Sequence, residues 1–394
     1  MRIIIQKFGG TSVATQQRRE LVSNKIESAI EKGYSPVVVV SAIGRKGDPY
    51  ATDTLLSLIN NNETHLEKRE MDLLMSCGEI ISAVVMAETL QRRGIKSSVL
   101  TGGQAGIITD DNFNDATILR VDTKRIIDLL NKGIVPIVTG FQGMTSEGDI
   151  TTLGRGGSDV TGAVLGEALR AEAIEIYTDV DGIMTADPRI VPEAKVIEKI
   201  SYNEVFQLAD QGAKVIHPKA VEYAMRGNVP LWIKNTMSDA QGTMITSAKH
   251  NEGRIVTGIT HMSNRSQISV KCKDTGNEKD LFEILAGCGI SIDLINVFPE
   301  YRVFTIDGKD SLRVNNILKD LGLEYSIINN CSKIALIGNG MRGVPGVMAK
   351  ILKTLVQNNI KVLQTADSHT TIWCLVSEED TIKAINALHK EFSL

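Results

Sequence analysis

Thr151-Thr-Leu-Gly-Arg-Gly-Gly-Ser-Asp159 reads as a glycine-rich loop that opens a helix. Gly154, Gly156 and Gly157 let the backbone approach a ligand closely and take positive φ. Ser158 is a good N-cap, and Val160, Ala163, Val164, Ala168 and Leu169 follow at helical spacing. Unpaired N–H groups at the positive end of a helix dipole suit a phosphate or a carboxylate. Arg155 adds a planar fork that matches a carboxylate at two points. A tight strand-to-helix turn would account for one or two of these glycines, but not for three glycines, an arginine and a Ser-Asp pair together.

On both sides of this loop the first ~240 residues alternate short apolar runs with amphipathic stretches, the pattern of an α/β fold. Strands are expected at 2–6, 37–40, 98–100, 135–139, 174–177 and 231–233, and helices at 18–31, 79–92, 122–130 and 218–225. Val37 to Val40 is apolar throughout, as suits a strand buried on both faces of a parallel sheet. Several strands end in small or polar residues: Lys7 with Gly9 and Gly10, Ser41, Thr101 to Gly103, Gly140, and Thr178 with Asp179. Open parallel sheets bind ligands beyond the carboxyl ends of their strands, so this set marks one sheet edge as the binding edge. Lys7-Phe-Gly-Gly-Thr-Ser12 places a lysine where it can reach a phosphate, although a lysine at a strand end is commonly just solvated. Thr178-Asp-Val-Asp-Gly182 with Thr185-Ala-Asp-Pro-Arg189 is an acid-bearing loop that suits a nucleotide, or a well-made turn.

No GxxxxGK[ST] occurs, which excludes a P-loop kinase. Gly338-Asn-Gly-Met-Arg-Gly343 has the dinucleotide spacing, but Pro345 interrupts the helix entry and only about fifty residues follow. From Gln241 to Gly253 the sequence turns polar, as a linker would. Beyond it lies an internal repeat: Leu281 to Leu285 with Gly289 to Ile292 aligns with Ile351 to Leu355 and Asn359 to Val362. Each copy is too small to bury a core alone. Apolar content of 42% and a net charge of −4 describe a globular chain with no nucleic-acid or membrane footprint. Five scattered cysteines and a start lacking a signal-like apolar run place it in the reducing cytoplasm.

KFGGTS at 7–12, SCGE at 76–79, TGGQAG at 101–106, TTLGRGGSD at 151–159, YTDVDGIMTADPR at 177–189 and GAKVIHP at 212–218 together resemble the aspartate kinase family, over almost the whole chain. The resemblance implies an amino-acid kinase fold, mainly parallel, in residues 1–245. It further implies a linker with the first strand of the second ACT unit at 246–263, and ACT domains at 264–330 and 331–394, the first inserted into the second. It implies a monofunctional enzyme that uses ATP and Mg2+ to phosphorylate the side chain of L-aspartate. Lys7 would stabilise the transferring phosphoryl group and Asp159 would organise the charges around it. Arg155 would clamp the α-carboxylate and Glu79 would face the amino group, with Ser41, Thr52, Gly156 and Ser158 completing the pocket. Lys7, Gly9, Gly10, Thr178, Asp179, Met184, Asp187, Arg189 and Lys214 would line the ATP site. The sequence departs from the common pattern at Met184, at Lys234-Asn235-Thr236 and in the long stretch Gly44 to Ala51.

For regulation, the resemblance implies a homodimer paired through its ACT domains and inhibited by an end product: diaminopimelate, lysine or threonine. Asp274, Asp293, Asn296, Asp367, Ser368 and His369 are the expected effector residues. Gln364 to Trp373 and GRKGDPYATD at 44–53 look most like diaminopimelate-sensitive isozymes of spore-forming Gram-positive bacteria. A sibling kinase of the same fold or a non-catalytic amino-acid sensor are the competing readings.

Overall fold

The computed structural model describes residues 1–59, 65–213, 215–247, 254–271, 279–341 and 343–394. It divides into two compact units. The first comprises Met1–Ile183, Val196–Ala209 and Lys214–His250; the second comprises Met184–Lys195, Asp210–Ala213 and Asn251–Leu394.

The strands of the first unit are β1 (Ile3–Phe8), β2 (Ser35–Val40), β3 (Ser97–Leu100), β4 (Ile107–Thr109), β5 (Ile118–Val121), β6 (Val135–Thr139), β7 (Gln142–Met144), β8 (Ile150–Thr152), β9 (Ala173–Thr178), β10 (Lys199–Ser201), β11 (Leu231–Asn235) and β12 (Thr243–Thr246). Its helices are α1 (Gln16–Glu31), α2 (Thr52–Leu56), α3 (Lys68–Arg92), α4 (Lys124–Leu130), α5 (Gly157–Ala168), α6 (Tyr202–Asp210) and α7 (Pro218–Arg226). An eight-stranded sheet runs β10-β12-β11-β9-β1-β2-β6-β3. It is parallel except where β11 meets β12. β1 is buried along its whole length between β2 and β9, so its carboxyl end, with Lys7, lies at the centre of the binding edge. On one face Phe8, Val22, Ile26, Val40, Met86 and Leu90 form a core in which Phe8 stacks on Tyr177. On the other, Gly162 and Gly166 bring α5 directly onto β1 and β9: a Cβ at Gly166 would stand 2.4 Å from Ile174.

α3 starts at Lys68, eleven residues before the expected Glu79. Gly78 lies inside the helix as a packing glycine; a Cβ there would meet Ala42 and the carbonyl of Tyr50 within 3 Å. By length and composition α3 could cross a membrane, yet 56% of its apolar stretch is buried inside this unit. Ser158 is not the cap of α5. Gly156, at φ 72°, holds that position and Ser158 lies in the first turn. The Thr101 to Gly103 turn, expected at the binding edge, instead supports β7, where a Cβ on Gly102 would meet the carbonyl of Gln142. β7 and β8 belong to a small sheet, β5-β4-β7-β8, that sequence periodicity did not announce because its strands are only three or four residues long.

The second unit holds β13 (Gly258–Lys271), α8 (Lys279–Gly287), β14 (Ile292–Val297), β15 (Tyr301–Asp307), α9 (Ser311–Asp320), β16 (Tyr325–Ile337), α10 (Val347–Gln357), β17 (Gln364–Asp367), β18 (Thr371–Ser377) and α11 (Thr381–Glu391). Its antiparallel sheet runs β14-β15-β13-β16-β18-β17. The strand expected near 254–259 is one long strand, β13, whose two halves serve two cores. Residues 265–271 pair with β15, whereas 258–262 pair only with the second half of β16. Asn264 and Asn330, both at φ 53°, mark the change-over. The repeat recurs bond for bond. After α8, Gly289 (φ 69°) donates to Ala286 O and Ile290 to Leu285 O; after α10, Asn359 (φ 53°) donates to Val356 O and Ile360 to Leu355 O. Each turn is a left-handed helix stop. The strand expected at Asn359 to Val362 begins later, at Gln364.

Residues 184–195 are built into the core of the second copy. Ala186, Val191 and Ala194 pack in one cluster with Ile334, Leu336, Ile351 and Leu388. Thr185 O accepts from Ile259 N, and Thr185 Oγ1 is hydrogen-bonded to His389 Nε2 at 2.9 Å.

Candidate functional site

Within the first unit, a cleft of ≈ 560 Å³ opens at the carboxyl ends of β1 and β2. Lys7, Ser41, Thr52, Glu79, Arg155, Gly156, Ser158 and Asp159 all line it. Lys7 ends β1 and Asp159 sits in the first turn of α5, so the close packing of that helix brings them together: Lys7 Nζ lies 2.5 Å from Asp159 Oδ1. Both side chains are largely buried, so removing either would leave the other a buried charge without its partner.

Glu79 projects from α3 and is 2% exposed. One carboxylate oxygen accepts from Ala42 N at 3.2 Å, and the other is buried with no partner. Burial pushes this carboxyl up to about 8, against backbone hydrogen bonds that favour its ionised form. A carboxyl in that condition is ready to take a cation, and the pairing would restore its charge.

The Arg155 loop is held by residues that the sequence reading did not single out. Asp72, two turns before Glu79 on α3, is fully buried. It accepts from Thr152 N, Thr152 Oγ1, Asn114 N and Asn114 Nδ2, all within 3.1 Å. This fixes β8 three residues before Arg155 and ties it to the helix that carries Glu79. His217, the N-cap of α7, stands over Gly156; a Cβ there would fall 2.5 Å from the imidazole's own Cβ. Burial lowers the His217 pKa, and its Nδ1 accepts from Lys219 N. Phe141 also lines the cleft, at φ 71°, with its N–H donated to Thr161 Oγ1. A left-handed phenylalanine carries no signal in a sequence.

A second cleft, of ≈ 320 Å³, is lined by Thr178 and Asp179 together with Thr11, Ser12 and Arg18. Gly9 N–H donates to Tyr177 O, and Gly10 lies flat against the carbonyls of Ala42 and Gly44. The unusual Lys234-Asn235-Thr236 run supports this region: Lys234 pairs with Glu175 at 2.5 Å, Asn235 donates to Asp181 and Thr236 bonds Ser12.

The remaining expected nucleotide residues belong to the second unit or lie outside the described residues. Met184 packs against the core of that unit. Arg189 binds Asp187 through Nε and Nη2, which lowers the Asp187 pKa. Lys214 and Asp274 are outside the described residues. Of the expected effector residues, Asp293 pairs with the buried Lys333, and Asn296 accepts from Gln364 Nε2 at 2.6 Å. Ser368 Oγ accepts from Thr371 N and closes the β17–β18 turn, with Asp367 and His369 exposed beside it.

Residues 2–235 match the amino acid kinase family and residues 326–390 match the ACT domain. Over the full length of both chains this one is 46% identical to aspartokinase 1 of Bacillus subtilis. Among solved structures, Clostridium acetobutylicum aspartate kinase superposes with a TM-score of 0.83 at 25% identity, covering 99% of this chain and 100% of that one. Escherichia coli aspartokinase III, in complex with aspartate and ADP, gives 0.81 at 26% identity with full coverage of both. The same enzyme with lysine and aspartate gives 0.77 at 26%, covering 99% of each.

Proposed function

Because this chain belongs to the aspartokinases, and is an ATP-using aspartate kinase of amino-acid biosynthesis with an ACT regulatory domain, we propose that its first cleft holds aspartate and its second cleft the phosphates of ATP. The observation that carries this is the meeting of Lys7–Asp159, Arg155 and the half-satisfied Glu79 in one cleft. Arg155 takes the α-carboxylate as a fork, and Glu79 takes the ammonium group. That fixes the head of the substrate and aims its side-chain carboxylate at Lys7.

The acceptor carboxylate attacks the γ-phosphorus, and the electrons of the broken bond stay on the β-phosphate oxygen of ADP. Such transfers need positioning and charge stabilisation more than covalent help. Lys7 supplies the stabilising cation and Asp159 keeps it in place. Thr178 and Asp179 line the nucleotide side, with Gly9 beside them, its N–H donated to Tyr177 O. Magnesium would supply charge neutralisation at the ATP phosphates, and Asp159 and Asp179 are the carboxylates that would hold it. The test is ADP release with L-aspartate, compared with glutamate, acetylglutamate and no acid; release that does not depend on aspartate would contradict the assignment.

We further propose that the protein works in the cytoplasm as a dimer paired through its ACT units, with diaminopimelate as effector. Edge strand β14 and its turn expose Ile295, Val297 and Phe298, an apolar row that suits a second copy. Asp367 and His369 add exposed polar groups for a second amino-acid head, which diaminopimelate has and lysine lacks. Inhibition by meso-diaminopimelate, lysine and threonine, singly and in pairs, decides the effector; lysine acting alone while diaminopimelate does nothing at millimolar concentration would refute it. Sedimentation gives the oligomeric state.

A further inference from the structure

We propose that Arg45 is a further catalytic residue, whose guanidinium leaves Asp179 for the phosphoryl group as that group passes from ATP to the aspartate carboxylate. This rests on the two cleft assignments above.

Arg45 belongs to the long Gly44 to Ala51 stretch, which no assigned role absorbs. Gly44 and Arg45 are the residues shared by the linings of both clefts, so they stand where acceptor and donor must meet. From there Arg45 Nη2 reaches Asp179 Oδ2 at 2.5 Å.

The backbone under this side chain is fixed. Gly44 N–H donates to Gly10 O, Arg45 N–H to Asp48 Oδ2 at 2.7 Å, and Gly47 N–H to Thr54 Oγ1. Gly44 is at φ 85°, and a Cβ on it would fall 2.3 Å from Asp48 Oδ2. The guanidinium itself is exposed, held by one exposed carboxylate. Such an ion pair is weak, so exchanging Asp179 for phosphoryl oxygens is easy, and the new contact is a stronger, charge-assisted fork.

The reaction needs this charge. A carboxylate must approach a polyanion, and Lys7, held beside Asp159, stabilises the group in transit without by itself offsetting that repulsion. Arg155 is committed to the α-carboxylate of the substrate, and Arg18 is turned to Thr11 O. Among the described residues, Arg45 is the cation that lines both clefts. In the step, an oxygen of the acceptor carboxylate forms a bond to the γ-phosphorus as the bond to the bridging oxygen breaks. The electron pair remains on ADP and no proton is transferred. Arg45 binds equatorial oxygens of the group in transit.

The test uses the full-length enzyme. Arg45→Ala should lower kcat by ~10²-fold, as removal of a preorganised charge does, with KM for ATP and for aspartate each within about threefold. Guanidinium chloride at low millimolar concentration should restore part of the lost kcat, which a merely distorted loop would not show. A kcat within about threefold of wild type would overturn the proposal, as would a loss carried by KM for ATP alone. Lys7→Ala and Arg155→Lys in the same assay separate the two levels. If they are impaired while Arg45→Ala is not, only Arg45 is wrongly assigned; if neither is impaired, the cleft assignment fails and Arg45 falls with it.

Discussion

The loop after β8 and the loop after β9 look alike in the sequence, each ending a strand with small and charged residues, but they are held in different ways. Residues 151–159 lie wholly in the first unit, pinned from one side by Asp72 and from the other by His217. The chain after β9 changes allegiance: Thr178 to Ile183 belongs to the first unit, and Met184 to Lys195 to the second, inside the core of an ACT copy. One loop is rigid and local; the other is anchored in the regulatory unit. Aspartate recognition should therefore depend on packing within the first unit.

The largest effect should come from the centre that both loops serve. Lys7→Ala and Asp159→Ala should each lower kcat by ~10²–10³ in protein that is still folded by circular dichroism. A variant keeping more than about a tenth of wild-type turnover would remove its residue from the transfer step.

Next come perturbations of the rigid loop. Arg155→Lys should raise KM for aspartate roughly tenfold or more and leave that for ATP nearly unchanged, because lysine cannot reproduce a two-point carboxylate contact. Asp72→Asn turns an acceptor of four hydrogen bonds into a partial donor, so it should destabilise the protein by ~1–3 kcal/mol. It should raise KM for aspartate as well, since Asp72 sets the spacing between Arg155 and Glu79. Equal losses for ATP and aspartate in either variant would erase the distinction between the loops.

A smaller effect should mark the anchored loop. His389→Leu removes the bond to Thr185, two residues before Asp187. Effector sensitivity should change, while KM for aspartate without effector stays put. Steady-state kinetics with and without the inhibiting amino acid would show this, and a change in aspartate KM alone would contradict it.

The sequence exposed the fold and the charged groups that meet in the first cleft because both rest on local pattern. β1, β2, β6 and β9 are mainly apolar, Lys7, Arg155 and Asp159 are charged residues near glycines at strand or helix ends, and Glu79 follows Gly78 within α3. What stayed hidden depends on partners far away in the chain. Asp72 matters because of Thr152 and Asn114, Phe141 because of a backbone angle, and His217 because Gly156 leaves room for its ring. That Met184 to Lys195 packs with the ACT core follows from burial of Ala186, Val191 and Ala194, which in the sequence are merely small apolar residues of a turn-rich loop.

The account turns on Glu79 as the seat of the aspartate ammonium. In the free enzyme its carboxyl titrates at about 8, raised by burial above the ordinary 4.5. The stability gained from burying the protonated acid is therefore complete below about 4.5 and is lost as pH rises through 8. Binding the ammonium group should pull the pKa back down, so at pH 7 aspartate must displace the proton. Calorimetry of aspartate binding at pH 7, with a non-hydrolysable ATP analogue present, in buffers of different ionisation enthalpy, should give heats showing release of about one proton per site, and Glu79→Gln should neither bind aspartate nor release one. Tight aspartate binding with the same heat in every buffer would contradict the account.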